Sequence, residues 1–526
     1  MAEPLIERRS AAARIGLWLG PLAAAALLAM PFGAQPETHR FAAVAVLMAV
    51  WWMTEAIPIA ATALIPLVAL PFLGILPSED VAREYANDSI FLFLGGFIVA
   101  LAVERWGLHR RMALGIVAAI GASPRRLVLG FMAATGFLSM GMSNTATAML
   151  MFPIGMSIIA LARQRVAPGE EPAAHTLGAS LMLGIAYGAS IGGVATLIGT
   201  PPNIVFQRIF AQEFPGGPDI TFFNWLQLGL PVAVVFLLIG WVVLTRVAFR
   251  VGGVSTLGGA EVLRQERASL GPMSRAERRV AAVMAATALL WMTRSDMDLG
   301  FVKILGWGTL LARVPFMHVA APETGKSLLH DATVAMLAAV SLFLIPAGDG
   351  SRRRLMDWPA AERMPYGVLL LFGGGFALAR GFDVSGLSAW LGRMFAESPI
   401  ASSSPLVIVA GVAGGMTFLT ELTSNTATTQ VALPILGSLS RAVDLNPLVV
   451  MIPATLSASF AFMLPVATPP NAIVFGSGEV RMADMIRAGL ILNLIGVALV
   501  ISIVYPLTMV LFDVTPQPCP AAWLAP

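Results

Sequence analysis

Apolar runs of helix length recur along almost the whole chain, separated by short polar stretches. They fall near 15–32, 41–53, 56–76, 89–103, 176–210, 225–249, 280–293, 333–346, 366–380, 447–475 and 484–512. Their length suits helices crossing a bilayer; barrel strands would show short segments of alternating polarity. Two further apolar segments, 127–162 and 405–440, carry polar residues at their middles. Each is long enough to enter the membrane and return by halves. The pattern predicts an all-α polytopic membrane protein with about 11 transmembrane helices and two re-entrant hairpins.

Composition supports this. Of 526 residues, 57% are hydrophobic and 12% charged, against about 25% charged in soluble domains. Mean hydropathy is +0.80. The single cysteine, Cys519, excludes an internal disulfide framework. A net charge of +3 gives nucleic-acid binding no electrostatic basis.

Charge placement sets orientation, because cytoplasmic loops carry the arginines and lysines. Arg8, Arg9 and Arg14 place the N-terminus in the cytoplasm. The loops Arg105–Arg126, Arg163–Arg165, Arg246–Arg279 and Arg352–Arg363 follow on that side. The SEDVAREYANDS segment (78–89) is acidic and falls outside. Alternation then requires 127–162 to enter from the cytoplasm and 405–440 from outside, leaving the C-terminus outside. Arg380 and Arg393 fall outside against the rule. The piece from Arg294 to Asp331 reads as an outer loop. Residues 1–35 also fit a cleaved signal peptide, a reading disfavoured because nothing after them resembles a secreted domain.

The chain repeats itself. SNTATAMLMFPI (143–154) matches the end of TSNTATTQVALPI (423–435) at seven of twelve positions. GTPPNIVF (199–206) pairs with ATPPNAIVF (467–475), and LFLGGF (92–97) with LFGGGF (371–376). The offsets are 281, 268 and 279 residues, in one order, which indicates an internal duplication. The charge pattern makes the halves inverted. An inverted repeat with interrupted helices is the sequence pointer to a secondary transporter's midplane site. The layout is an N-terminal segment and first helix (1–40), repeat 1 (41–250), a cytoplasmic linker (251–279) and repeat 2 (280–526).

Ser-Asn-Thr before a helical run is a capping signature. A helix starting in mid-membrane presents unpaired N–H groups and a partial positive charge, an anion site without a basic side chain. The helix before it ends there too, and its free carbonyls suit a small hard cation such as Na⁺. Thr-Pro-Pro-Asn frees carbonyls by a different route, since proline lacks an N–H. Such backbone is tolerated at membrane depth only where it lines a cavity or is buried. Two cation pockets and two anion cradles result, which suits a molecule with an anionic group at each end. An isolated SNT would more often bond a neighbouring helix; the register with TPPN in both halves outweighs that. Glu55 reads as a helix-end residue. Glu421 reads either as support for a cation pocket or as a fixed hydrogen-bond partner. The glycine pairs read as close helix contacts. His109, His175, His318 and His330 show no metal spacing. No paired-acid or Ser–His set points to an enzyme.

These motifs, most specifically 420–448 and 457–478, make the chain resemble the divalent-anion/sodium symporter family, carriers of succinate, malate, fumarate and citrate. The resemblance covers nearly the whole chain from about residue 40. It implies a homodimer with elevator-type scaffold and transport domains in the bilayer; the compact loops suggest a bacterial inner membrane. It implies one sodium at Ser139, Ser143, Asn144 and Gly199, and a second at Thr420, Thr423, Asn425 and Ala467. It implies substrate contacts from Ser143, Asn144, Thr145, Thr200 and Pro201, and from Ser424, Asn425, Thr426, Thr468 and Pro469. The hairpins with 176–210 and 447–475 would move; helices near 41–76 and 225–293 would form the scaffold. The implied function is sodium-coupled symport of C4-dicarboxylates. The alternatives are a sodium-independent dicarboxylate exchanger of the same fold and a citrate- or sulfate-preferring symporter.

Overall fold

The computed structural model describes residues 11–29, 35–165, 171–251, 259–298, 303–314, 319 and 328–524. Arg8, Arg9, His318 and the last two residues lie outside the described residues. The described chain is almost entirely helical, with one two-stranded ribbon, Met297–Asp298 paired with Lys303–Ile304. Seven helices among the described residues are long and apolar enough to cross a membrane, from Ala11–Ala29 to Met482–Phe512, and four shorter apolar helices accompany them.

The two halves have the same parts in the same order. Asp88–Arg105 corresponds to Tyr366–Val384 and carries the glycine pair. Each is followed by a glycine at positive φ, Gly107 (72°) and Gly386 (74°), which turns the chain into a short helix. Those helices, Leu108–Ile120 and Leu387–Ala396, correct the reading of Arg105–Arg126 and of the Arg380–Arg393 region as loops. They are too short and too charged for a search for apolar spans to register. A hairpin follows in each half: Pro124–Ser139 with Asn144–Arg165, and Pro405–Leu419 with Asn425–Ala442. Next comes a broken helix: Glu171–Gly193 with Pro201–Glu213, and Pro447–Ser457 with Pro469–Phe475. The segments 176–210 and 447–475 are therefore not continuous helices. Both break just before the proline pair, which cannot donate hydrogen bonds to the preceding turn.

Close backbone approach assembles the site-bearing elements. Gly192 lies on the backbone of Gly136, so a Cβ there would collide with it, and a Cβ at Gly188 would be 2.8 Å from Met132 O. Gly95 meets Ala335, and Gly373 and Gly374 meet Tyr85 and Ala63, so the glycine pairs are helix contacts. Phe222–Val242 packs on hairpin 1 and on the break at Val194, where Trp225 Nε1 donates to Val194 O (3.0 Å). Gly229 admits the unwound backbone against this helix, which the resemblance groups with the scaffold.

Three other expectations change. The 56–76 span is two short helices, Ile59–Thr62 and Ile65–Phe72. The linker holds the helix Gly259–Ser269. The Arg294–Asp331 piece contains the ribbon and the helix Trp307–Ala312, and a buried ion pair between Arg294 and Asp331 (2.5 Å) joins its ends. Glu55 is the exposed C-cap of Pro36–Thr54 at φ 48°, the helix-end role expected of it. The Ala11–Ala29 helix packs on that same helix, with Gly16 against Thr54 and Gly20 against Trp51.

Replacing Gly192 by Leu should destabilise the folded protein by about 1–3 kcal/mol, the usual cost of overpacking. Gly414→Leu, where a Cβ meets nothing within 4 Å, should be near neutral. Melting of the purified variants measures both.

Candidate functional site

The hairpins turn at residues 140–143 and 420–424, so both SNT motifs start a helix at their hairpin's tip. Ser143 Oγ caps its helix, accepting from Ala146 N at 3.2 Å. Ser424 has extended backbone and makes no side-chain cap bond. The first N–H groups of Asn144–Arg165 and Asn425–Ala442 have no intrahelical partner and carry the helix's partial positive charge. Thr145, Ser424 and Asn425 are half-buried and Thr426 is buried.

Beside each start lies a knot of oxygen atoms. Ser139 Oγ is 2.5 Å from the Asn144 carboxamide, and the same end of that carboxamide is 3.2 Å from Ala189 O and 3.3 Å from Gly199 O. With nitrogen facing them the amide donates. With oxygen facing them it joins a ring of carbonyl and hydroxyl oxygens. Gly199 fits because it has no Cβ: one would be 2.8 Å from Ser139 O. A Cβ at Gly193 would be 2.6 Å from Asn144 Oδ1. The second half mirrors this. Thr420 Oγ1 is 2.5 Å from Asn425 Oδ1 and 2.9 Å from Ala458 O. All-oxygen donor sets suit hard cations.

Two of the expected cation-site residues make hydrogen bonds elsewhere. Thr423 Oγ1 is 2.6 Å from Thr428 Oγ1 and donates to Leu419 O (2.8 Å), staying within its hairpin. Ala467 N donates to Leu464 O at 3.2 Å within the second break. Thr200 and Thr468 are N-caps for the helices opened by Pro201 and Pro469; Thr468 Oγ1 accepts from Asn471 N at 3.3 Å, whereas Thr200 makes no cap bond. Among the described residues no group of three His, Cys, Asp or Glu side chains could hold a metal.

The halves interlock. The Asn144–Arg165 helix packs on Pro469–Phe475, and Asn425–Ala442 packs on Pro201–Glu213. Each hairpin thus rests on the broken helix of the other half, as a pseudo-twofold arrangement requires. Ion pairs secure the far ends: Arg163 with Glu479 (2.6 Å) and Arg441 with Glu213 (2.5 Å).

The halves also differ. Glu421 is a fixed hydrogen-bond partner: its carboxylate accepts from Phe462 N, Met463 N and Leu464 N at 2.7–3.1 Å and from Asn493 Nδ2 at 2.7 Å. The second break runs from residue 458 to 468, and this carboxylate takes the N–H groups that the missing helix would have used. Met140, its counterpart, accepts at its carbonyl from Thr196 Oγ1. Sequence reading missed Gly193, Ala458 and Asn493. Only the broken-helix geometry marks the first two, and Asn493 is a lone amide in an apolar run.

The family model described as "Sodium:sulfate symporter transmembrane region" matches residues 15–514. A sodium-dependent dicarboxylate transporter SdcS of Staphylococcus saprophyticus is 42% identical over 512 residues, covering 96% of this chain and 93% of the relative. The protein of the same name from Staphylococcus aureus is 43% identical over 503 residues, covering 94% and 91%. Two solved structures resemble the fold at 12% identity and TM-score 0.52. They are Neisseria gonorrhoeae MtrF, with 80% of this chain and 82% of that one covered, and the Alcanivorax borkumensis YdaH transporter, with 90% and 99% covered. A match of that span, with relatives this similar along nearly the full chain, places the protein in the divalent-anion/sodium symporter family, a family of carriers and not of enzymes.

Proposed function

We propose that the protein carries C4-dicarboxylates such as succinate, malate and fumarate together with sodium ions. One observation carries the reading: each half sets a Ser/Thr–Asn pair, 2.5 Å apart, beside a helix N-terminus and the carbonyls of a broken helix. The carbonyl side of each knot suits Na⁺, as cargo, and the N–H side suits a carboxylate. Two knots fit a molecule with a carboxylate at each end better than a single sulfate. The relatives' names agree with a sodium-coupled dicarboxylate carrier. Cation and anion share the same tips, so each raises the other's affinity reciprocally. A homodimer, by resemblance, in a bacterial inner membrane belongs to the same reading, with the N-terminus inside and the C-terminus outside by loop charge.

Asymmetry between the hairpins supports an elevator cycle. Gln430 on hairpin 2 is buried and its Nε2 donates to Leu371 O on Tyr366–Val384 at 2.8 Å. The equivalent residue on hairpin 1, Met149, is 61% exposed. An apolar cavity of about 190 Å³ separates the tip of hairpin 1 from Asp88–Arg105 and Arg275–Met292. Hairpin 2 is docked and hairpin 1 stands off. With hairpin 1 entering from the cytoplasm, this is the inward-facing state.

Uptake of labelled succinate into proteoliposomes tests the function. An inward Na⁺ gradient should drive it without internal succinate, and K⁺ should not. A requirement for preloaded succinate, with indifference to Na⁺, would make the protein an exchanger instead. Asn144→Ala and Asn425→Ala should each abolish uptake while the protein stays folded; wild-type uptake in either would remove these residues from the site.

The proposed ligands are Ser, Asn, Thr, Pro, Gly and Ala, none of which titrates. Uptake should therefore fall on acidification in step with the loss of the substrate's second negative charge. A curve shared by acids of differing ionisation would contradict this.

Gln430→Met should release hairpin 2 and shift the resting state. In a Cys519→Ser background, a cysteine at exposed Gly141 should then react several-fold more slowly with an impermeant maleimide applied from the cytoplasmic side.

A further inference from the structure

We infer that Asn203 and Asn471, which close the two Thr-Pro-Pro-Asn motifs, are positioning residues that set the shape of the two cation pockets. The inference rests on the sodium reading above. Neither residue needs to touch an ion to act.

Both side chains are fully buried. Each turns its amide nitrogen back into the unwound turn that precedes its helix. Asn203 Nδ2 donates to Thr196 O (2.7 Å) and Gly193 O (3.3 Å). Asn471 Nδ2 donates to Leu464 O and Ala461 O, both at 3.0 Å. In both halves acceptors lie seven and ten residues upstream, and in the first half Val194 O (3.4 Å) is added nine residues upstream. The same pair of carbonyls is therefore gathered in both halves, although the second break is longer.

The oxygen of each amide shows that the nitrogen is what matters. Asn203 Oδ1 and Asn471 Oδ1 are both buried without a hydrogen-bond partner. An unsatisfied acceptor is costly, yet both halves retain it at the same position. What an asparagine brings that leucine or aspartate cannot is a nitrogen with two N–H donors. The prolines that open Pro201–Glu213 and Pro469–Phe475 have no N–H to return to the turn. The asparagine supplies those donors from the side.

Gathering these carbonyls decides where the next ones point. In the first half, the clamp closes the turn at residues 193 and 196. Gly199 O is left beside the Asn144 carboxamide, and Gly193 lies between the clamp and that carboxamide. Thr196 Oγ1 ties the same turn to hairpin 1 at Met140 O. In the second half the clamp takes the carbonyls of 461 and 464, and Glu421 takes the N–H groups of 462–464. Without the clamp, carbonyls in the turn would be free to swing, and the oxygens facing Asn144 or Asn425 would lose their fixed spacing. This is the part played by outer groups that orient the ligands of a metal site.

The test uses full-length Asn203→Leu and Asn471→Leu, near-isosteric changes that remove both donors. Sodium activation of succinate uptake is measured in proteoliposomes, with thermal melting of the purified protein in NaCl and in KCl. The sodium concentration for half-maximal uptake should rise about tenfold in each variant, and the succinate KM at saturating sodium should stay near wild type. Melting in KCl should fall, because buried carbonyls lose their donor, and the melting increment that sodium confers should shrink as well. An unshifted sodium curve would overturn the inference. So would lower melting in KCl with the sodium increment intact, which would mean a structural staple alone. Should the leucine variants fail to fold, Asn203→Ser and Asn471→Ser retain one hydroxyl donor and should show a smaller shift in the same direction; a wild-type curve in these overturns it equally. Wild-type protein indifferent to sodium would bring down the sodium reading and this inference together. Sodium-dependent wild type with unshifted variants would bring down this inference alone.

Discussion

A backbone N–H or C=O left without a partner at membrane depth costs several kcal/mol, and the whole structure turns on that constraint. Four helices begin at the site and four end there. The resulting orphan groups have been concentrated in one place and not avoided. Some are satisfied permanently, by the two asparagines of the TPPN motifs, by Glu421 and by Thr196. The rest, at the two hairpin tips, face one another as a positive and a negative end. A carrier can use groups of that kind, because an ion and an anion satisfy them only while both are aboard.

The duplication supplies the symmetry and the differences supply direction. Ser139 and Thr420 stand in the same place with the same neighbour, so the two oxygen knots are alike. Around them the halves diverge. Thr428 finds Thr423, while the hydroxyl of its counterpart Thr147 is buried without a hydrogen bond and Met142 takes the sequence place of Thr423. Gln430 grips Leu371, while Met149 grips nothing polar. These substitutions give hairpin 2 a buried polar contact that hairpin 1 lacks. The ion pairs Arg163–Glu479 and Arg441–Glu213 fix the far end of each hairpin to the opposite half.

Glycine makes the close packing possible. Gly192 on Gly136 and Gly229 on Val194 bring broken backbone within reach of neighbouring helices. Helices in lipid gain little from burying apolar side chains against each other, so such small-residue contacts take on the work of association. The first unwound turn, 194–200, is then held between helices, while the second leaves Val466 exposed.

Much of this was written in the sequence. Hydropathy determined the helical membrane class. The repeated SNT and TPPN motifs located both helix starts, because serine, asparagine and proline act on the backbone within a turn of themselves. Other features required the folded chain. The helices Leu108–Ile120 and Leu387–Ala396 are too short and too charged to register as spans. The place of Phe222–Val242 beside hairpin 1 depends on Gly229 meeting Val194, residues that no local pattern relates. Whether Glu421 served a cation or the backbone was undecidable from its neighbours, since its partners lie 41 to 72 residues away. Short-range rules fixed where the helices break; contacts between distant segments decided which oxygen faces which, because only packing brings those segments to one point.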